Sequence, residues 1–225
     1  LPVDTSREDR TRVQILGAAL VAFSQGVAYF HAGMDTLRSK SMDGNSYDSG
    51  DWFNRVDWSY RDNYFGSGLP PEADNGGNWS LMRPLLANPA IKPAAANIAW
   101  TRDAFRDLLK IRAGSSLFRL RSADEIKKRL SFYNTGSAQQ ATVLAGHLDG
   151  KGYPGAAFKE ILYLINVDVE TRVLKIDALA GRAFELHTVL AAATAADPRP
   201  KASTYDRASG QFTVPARTAV VLVVR

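Results

Sequence analysis

From Met34 to about Ala96 the sequence loses all hydrophobic periodicity, yet strongly patterned segments flank it on both sides. Loops longer than about 15 residues within a compact domain are either disordered or built for a function. Aromatic content argues against disorder: residues 47 to 79 hold eight of the chain's aromatics, more than a third of them in under a sixth of its length. The densest part, NSYDSGDWFNRVDWSY at Asn45 to Tyr60, interleaves aromatic rings with Asp, Asn and Arg and follows neither a helical nor a strand period. These residues predict a structured excursion on a rigid scaffold.

The scaffold ahead of it reads as helix and strand. Thr5 and Glu8 have the spacing of a capping box, and Val13, Leu16, Leu20 and Phe23 recur at helical intervals until Gly26 supplies a stop, which predicts a helix over about 6–25. Directly after it, VAYFH (Val27 to His31) is the short apolar run expected of a strand buried on both faces in a parallel sheet. Helix followed by buried strand is an α/β signature. Beyond the excursion, Asn97 is placed to cap a second helix carrying Trp100, Phe105, Leu108, Leu109 and Ile111 on one face and ending near Ala113-Gly114. Ser122 and Glu125 mark a short third one.

After Leu130 the pattern changes. The runs LSFYN, ATVLAGHL, KEILYLINVDV, RVLKIDAL, AFELHTVL, QFTVPA and RTAVVLVV carry β-formers between turn residues, the spacing of an antiparallel sandwich or barrel, while AAATAAD reads as a connecting loop. The chain therefore divides into residues 1–115, of α/β character, and an all-β domain over 116–225.

Composition excludes several function classes. The 28 Lys and Arg and 23 Asp and Glu are interspersed, and the longest basic run, Lys127 to Arg129, fits the exposed face of a short helix, so the net charge of +5 implies no nucleic-acid partner. The lack of cysteine removes disulfides, thiolate zinc sites and cysteine nucleophiles. No apolar run reaches the roughly 18 residues of a membrane span. His147 and His187 fall in predicted strands without acidic residues arranged as a metal set, and read as structural. There is no glycine-rich phosphate loop, no H-E-x-x-H and no G-x-S-x-G elbow. Leu1 stands where a start Met would, as expected of a processed chain or a fragment.

Several blocks in register then resemble one family. SQGVAYFHAGMDTLRSKSMDGNSYDSGDWFNRVD, followed by GLPP, NWSLMRPLL, SSLFRLRSADEI, FELHTV and QFTVPARTAVV, is similar to the pullulanase and limit dextrinase branch of the α-amylase-type glycoside hydrolases, along essentially the whole chain. The resemblance implies the C-terminal part of a (β/α)8 TIM barrel followed by an antiparallel β-sandwich domain. On that mapping the first helix is the barrel's seventh, Val27 to His31 the eighth strand, and Asn97 to Arg112 the closing helix. The excursion then lies where barrel active sites are built, at the C-terminal ends of strands.

The resemblance also implies what the segment lacks. Retaining glycosidases use two carboxylates roughly 5 Å apart. In this family those belong to barrel strands four and five, with a further Asp in a His-Asp-Asn motif upstream of the seventh helix, so no residue of this chain is assigned a catalytic role. The implied partners are an α-glucan such as pullulan or limit dextrins, and the remainder of the same enzyme N-terminal to Leu1. An extracellular or periplasmic setting is favoured. No cofactor is required; calcium occurs in relatives, but no oxygen-rich loop here has a spacing that assigns metal ligands. The alternative is a non-catalytic carbohydrate-binding or structural module.

For binding, the resemblance implies that Asp51 and Arg55 hold the glucose second from the scissile bond on its non-reducing side, and a carboxylate and a guanidinium can grip vicinal hydroxyls in that way. Trp52 offers a flat face to a sugar ring, Phe65 stands where relatives often carry Trp, and His31 ends the expected last strand. Most of the remaining aromatics are expected to pin the loop itself. Met34 and Asp35 stand where many relatives have two acidic residues.

Overall fold

A computed structural model describes all residues, Leu1–Arg225. The chain separates into two compact units, the first comprising 1–14 and 31–103 and the second 15–30 and 104–225. Each is described by itself.

The second unit is built on two antiparallel sheets. One has five strands in the order β1-β2-β3-β8-β5, from β1 (Leu130–Tyr133), β2 (Val143–Asp149), β3 (Glu160–Asn166), β8 (Thr218–Val224) and β5 (Glu185–Leu186). The other has three, β4 (Arg172–Lys175), β7 (Gln211–Val214) and β6 (Thr204–Asp206), in the order β4-β7-β6. Strand alternation sends Leu162, Leu164, Val220 and Leu222 to one face, where they bury against Leu174, Phe212 and Val214 of the smaller sheet. The expected antiparallel sandwich is present.

The opposite face of the large sheet is buried too. Every residue of β3 is buried, and Tyr163 packs with Phe23 and Phe118 at ring separations of 5.9 and 6.5 Å. Burial pushes the Tyr163 phenol up to about 12. Its ring lies across the strand partner Gly146, where an added Cβ would come within 2.0 Å of the ring. Only glycine leaves room for it.

Helices α1 (Arg7–Phe23) and α5 (Ala95–Ala113) contribute residues to both units. Helix α1 is capped by Ser6, whose Oγ accepts from the Asp9 amide at 3.1 Å, in place of the expected Thr5. Its buried stripe is Ile15, Leu16, Ala18, Ala19, Ala22 and Phe23, whereas Leu20 is 40% exposed. Small residues, rather than the spaced large ones, mark the packed face. Helix α5 starts two residues before Asn97, whose side chain reaches back to accept from the Ala94 amide at 2.9 Å. Asn97 thus closes the cap from inside the helix. Ser122 caps α6 (Ala123–Arg129) as expected, accepting from the Glu125 amide.

Two expectations fail. Val27 to His31 belongs to no sheet, and Val27 and Tyr29 are 81% and 84% exposed. A parallel strand needs hydrogen-bonded neighbours on both edges, and none of the eight strands pairs with this segment. The chain itself therefore displays no barrel. The second failure is AFELHTVL, which forms only the two-residue β5 before turning into α7 (Thr188–Ala191), because the His187 ring Nδ1 accepts from the Val189 amide and caps a helical turn. Strand β6 has no counterpart among the expected runs.

The first unit holds the long excursion, which is structured through its whole length but largely without sheets. It carries three short helices, α2 (Gly50–Asn54), α3 (Glu72–Asn75) and α4 (Trp79–Leu86), joined by tight turns. Its order comes from side-chain oxygens. Asp57 accepts from the amides of Ser59, Arg61 and Asp62 at 2.8 to 2.9 Å, and the Ser59 hydroxyl, followed by these amides, holds its carboxyl well below the usual range. Asp62 accepts from the Asn63 and Tyr64 amides and pairs with Lys92 at 2.8 Å. Asn75 ties residues 43–44 to 71–75, donating to Asp43 and the Pro71 carbonyl and accepting from Gly44.

Candidate functional site

The residues singled out in the excursion fall into two neighbouring groups linked by Arg38. Helix α2 has five residues, and it places Asp51 and Trp52 toward solvent with Arg55 at its C-terminal end. The Arg55 guanidinium carbon lies 3.8 Å from the centroid of the Trp52 ring and 3.8 Å from that of Tyr64. Arg55 is therefore held between two aromatic rings, an arrangement worth about 0.5–2 kcal/mol per ring. Its Nη2 donates to Ser67 Oγ at 3.2 Å, while its Nε is buried without an acceptor.

Trp52 is fixed by its indole N–H, which donates to the Ser67 carbonyl at 3.0 Å, and 54% of the residue stays exposed. Ser67 in turn donates to the Tyr64 carbonyl at 2.6 Å. Both segments, 52–55 and 64–67, thus lock onto one serine. Tyr64 takes a positive φ of 63°, which turns the chain so that its ring meets Arg55. Asp51 is exposed and forms no ion pair with Arg55.

His31 and Phe65 line a second feature, an open groove of about 310 Å³ that also takes in Met34, Leu37, Arg38 and Asn63. Gly33 shapes its floor with φ at 93°, and an added Cβ would meet the Arg38 side chain at 2.6 Å. Arg38 runs from the groove toward the first group and donates to the carbonyls of Ala32, Asn54 and Arg55. Asn63 orients Phe65 by accepting from its amide at 3.1 Å while donating to the Leu37 carbonyl at 2.8 Å.

Of the five expected binding residues, the structure brings Asp51, Trp52 and Arg55 together on and after α2, and sets His31 and Phe65 in the groove. Arg38, Tyr64 and Ser67 complete the arrangement, and sequence reading gave them no individual role. Tyr64 follows Asp62 and Asn63, an Asx-rich turn signal that accompanies positive φ. Arg38 had no comparable signal, because its partners are backbone carbonyls. In the sandwich, His147 Nε2 meets Glu160 Oε2 at 2.9 Å, a pairing 13 residues apart that strand alternation alone does not announce. No group of three or more His, Asp or Glu converges as a metal site, so no residue is assigned to calcium.

The chain matches known proteins along its length. A family model described as alpha-1,6-glucosidases, pullulanase-type, C-terminal, matches residues 60–225. Pullulanase 1, chloroplastic, of Arabidopsis thaliana is 44% identical over 99% of this chain, and the match occupies 24% of that protein. The pullulanase of Klebsiella pneumoniae is 34% identical over 95% of the chain and 19% of its own length. Among solved structures, PulA from Klebsiella oxytoca superposes with a TM-score of 0.83 at 30% identity, covering 99% of this chain and 21% of that one. A maltotriose complex of PulA from Klebsiella pneumoniae gives 0.82 at 31% identity, covering 96% and 23%. The chain spans about a quarter or less of the relatives it matches, and no helix in it is long and apolar enough to cross a membrane. With most of its residues under the family model, and with the chain itself matched nearly end to end to both a plant and a bacterial relative, the chain belongs to the pullulanase-type alpha-1,6-glucosidases.

Proposed function

We propose that the chain is the C-terminal segment of a starch-debranching enzyme that hydrolyses α-1,6-glucosidic linkages in pullulan, amylopectin and limit dextrins. The observation that carries the reading is the asymmetry of coverage: relatives named pullulanase are matched over 95–99% of this chain but only 19–24% of their own length. The rest of the polypeptide would supply the two carboxylates of a retaining mechanism. This segment would bind and orient the glucan.

Val27 to His31 has strand length and apolar character but no paired neighbour, which supports its role as the last strand of a barrel completed by the rest of the polypeptide. Asp51 supplies a free carboxylate that accepts from a sugar hydroxyl, and Arg55 supplies a guanidinium preoriented between Trp52 and Tyr64. Holding that cation in place before substrate arrives lowers the ordering cost of binding. The exposed Trp52 ring offers a stacking face, and the groove beside His31 and Phe65 extends the surface. Fixing the glucan one sugar away from the scissile bond aligns that bond with the carboxylates. Alignment of this kind lowers a barrier without taking part in the bond changes.

Release of reducing ends from pullulan tests the reading. The complete polypeptide is expected to be active and residues 1–225 alone inactive; turnover by 1–225 at the complete protein's rate would overturn it.

A further inference from the structure

The sandwich carries a second cavity, of about 1020 Å³, lined wholly by residues of the second unit. We propose that it is an anion site that takes a phosphate monoester, through Lys128, Lys151 and Lys159. This goes beyond the debranching reading and does not rest on it.

Six cationic side chains line the cavity: Lys128, Arg129, Lys151, Lys159, Arg182 and Arg225. The three arginines are already committed. Arg129 pairs with Glu125 and also donates to the carbonyls of Asp149 and Lys151, Arg182 pairs with Glu160 at 2.7 Å, and Arg225 pairs with Glu185. Of the two carboxylates in the lining, buried Glu160 has both oxygens engaged, one by His147 at 2.9 Å and one by Arg182. Asp149 accepts from the Lys151 amide at 2.9 Å.

What remains is the lysines. They come from three places, the last turn of α6, the turn after β2, and the residue before β3, and all three are exposed without an ion pair. Counting Glu125 and Glu185, which pair with Arg129 and Arg225 but do not line the cavity, the six cations face four carboxylates, so the cavity keeps a positive surplus. The surplus selects an anion, and the chemistry of the free donors selects which kind. Ammonium groups without a carboxylate partner act as point charges that bind phosphate oxygens, and a surplus of more than one positive charge favours a dianion over a singly charged carboxylate. Tyr133 and Phe158 line the same cavity and leave room for the group that carries the phosphate. The ligand chemistry is therefore a phosphate monoester, free or on a sugar.

Calorimetric titration of the complete polypeptide with inorganic phosphate, glucose 6-phosphate and glucose tests the site. Both phosphates are expected to bind saturably, with affinity falling as NaCl is raised, and glucose to show no binding in the same range. Tighter binding of glucose 6-phosphate than of inorganic phosphate would place the sugar against the cavity wall; equal binding would make free phosphate the ligand. The triple variant Lys128→Gln, Lys151→Gln, Lys159→Gln, all exposed positions, is expected to raise Kd by about tenfold or more. Lys175→Gln, whose lysine pairs with Asp177 outside the cavity, should leave it unchanged. Pullulan hydrolysis by the triple variant is expected to stay at the parent rate, which separates this site from the debranching reading. Absence of saturable phosphate binding, equal binding by the triple variant, or glucose binding as well as its phosphate would overturn the proposal.

Discussion

Arg55 is held by Trp52 and not by Asp51: its guanidinium carbon sits 3.8 Å from the indole ring, while no ion pair joins it to the carboxylate four residues earlier. Cation and carboxylate in this loop are therefore both open to a third partner. If that partner is a glucan, Arg55→Ala should raise KM for pullulan about tenfold with a smaller change in kcat. Arg55→Lys keeps the charge but not the planar stack, and should fall between the two. Steady-state kinetics on the complete polypeptide checks this, and an unchanged KM in both variants would remove Arg55 from the glucan surface.

Arg38 holds the excursion from beneath. Its guanidinium donates to three backbone carbonyls, those of Ala32, Asn54 and Arg55, and hydrogen bonds from charged donors are worth about 1.5–3 kcal/mol each. Arg38→Ala should loosen residues 45–67 locally more than it lowers global stability. Limited proteolysis should cut that stretch faster in the variant, and equal cleavage rates would show that the turns hold without the clamp.

The close approach of Gly146 and Tyr163 gives a sharper stability test. A methyl at 146 would sit 2.0 Å from the Tyr163 ring, between the buried Ala145 and His147. Gly146→Ala should cost about 1–3 kcal/mol through overpacking. Adding Tyr163→Ala should recover part of that loss, because the clash partner is gone, and denaturant midpoints of the two singles and the double read the coupling. Strict additivity would contradict the contact.

His187 makes the sandwich sensitive to acid. Burial, reinforced by the positive charge of Arg225, holds its imidazole below the ordinary value of 6.5, and Nδ1 is used as an acceptor by the Val189 amide. The unfolded chain then binds the proton first as pH falls, so the stability contributed by neutral His187 is fully present above 6.5 and is lost from there down to the folded-state value. His187→Gln should flatten the slope of unfolding free energy against pH below about 6.5. An identical slope in the variant would assign the acid sensitivity elsewhere.

The β runs were legible because β-branched and aromatic residues cluster between turn residues: β1, β3, β4, β7 and β8 lie inside such runs, and β2 passes the end of its run by one residue, Asp149. Two-residue β5 and three-residue β6 are too short to carry a period. Helix ends were legible to within two or three residues, since neighbouring Thr5 and Ser6 can both cap α1, and Asn97 caps α5 from inside the helix by accepting from the Ala94 amide. Asp51 and Arg55 were singled out by the family resemblance, and Trp52 by its flat ring. Their arrangement was not legible, because it depends on Ser67, Tyr64 and Arg38 acting through backbone carbonyls and ring faces. Val27 to His31 shows the opposite case, a segment whose apolar run reads as a buried strand but which pairs with no other strand and leaves Val27 and Tyr29 exposed.

One further bond network fixes how the helices of the second unit come apart. Arg112, near the end of α5, donates to the carbonyls of Ala22, Ser24 and Gly26 at 2.7 to 2.9 Å, and Gln25 both donates to the Leu117 carbonyl and accepts from the Leu120 amide. Neither α1 nor α5 can fray at its C-terminal end without releasing the other. The two ends are in effect one cooperative unit, and amide exchange at Ser24 and Gly114 should report a single shared opening event.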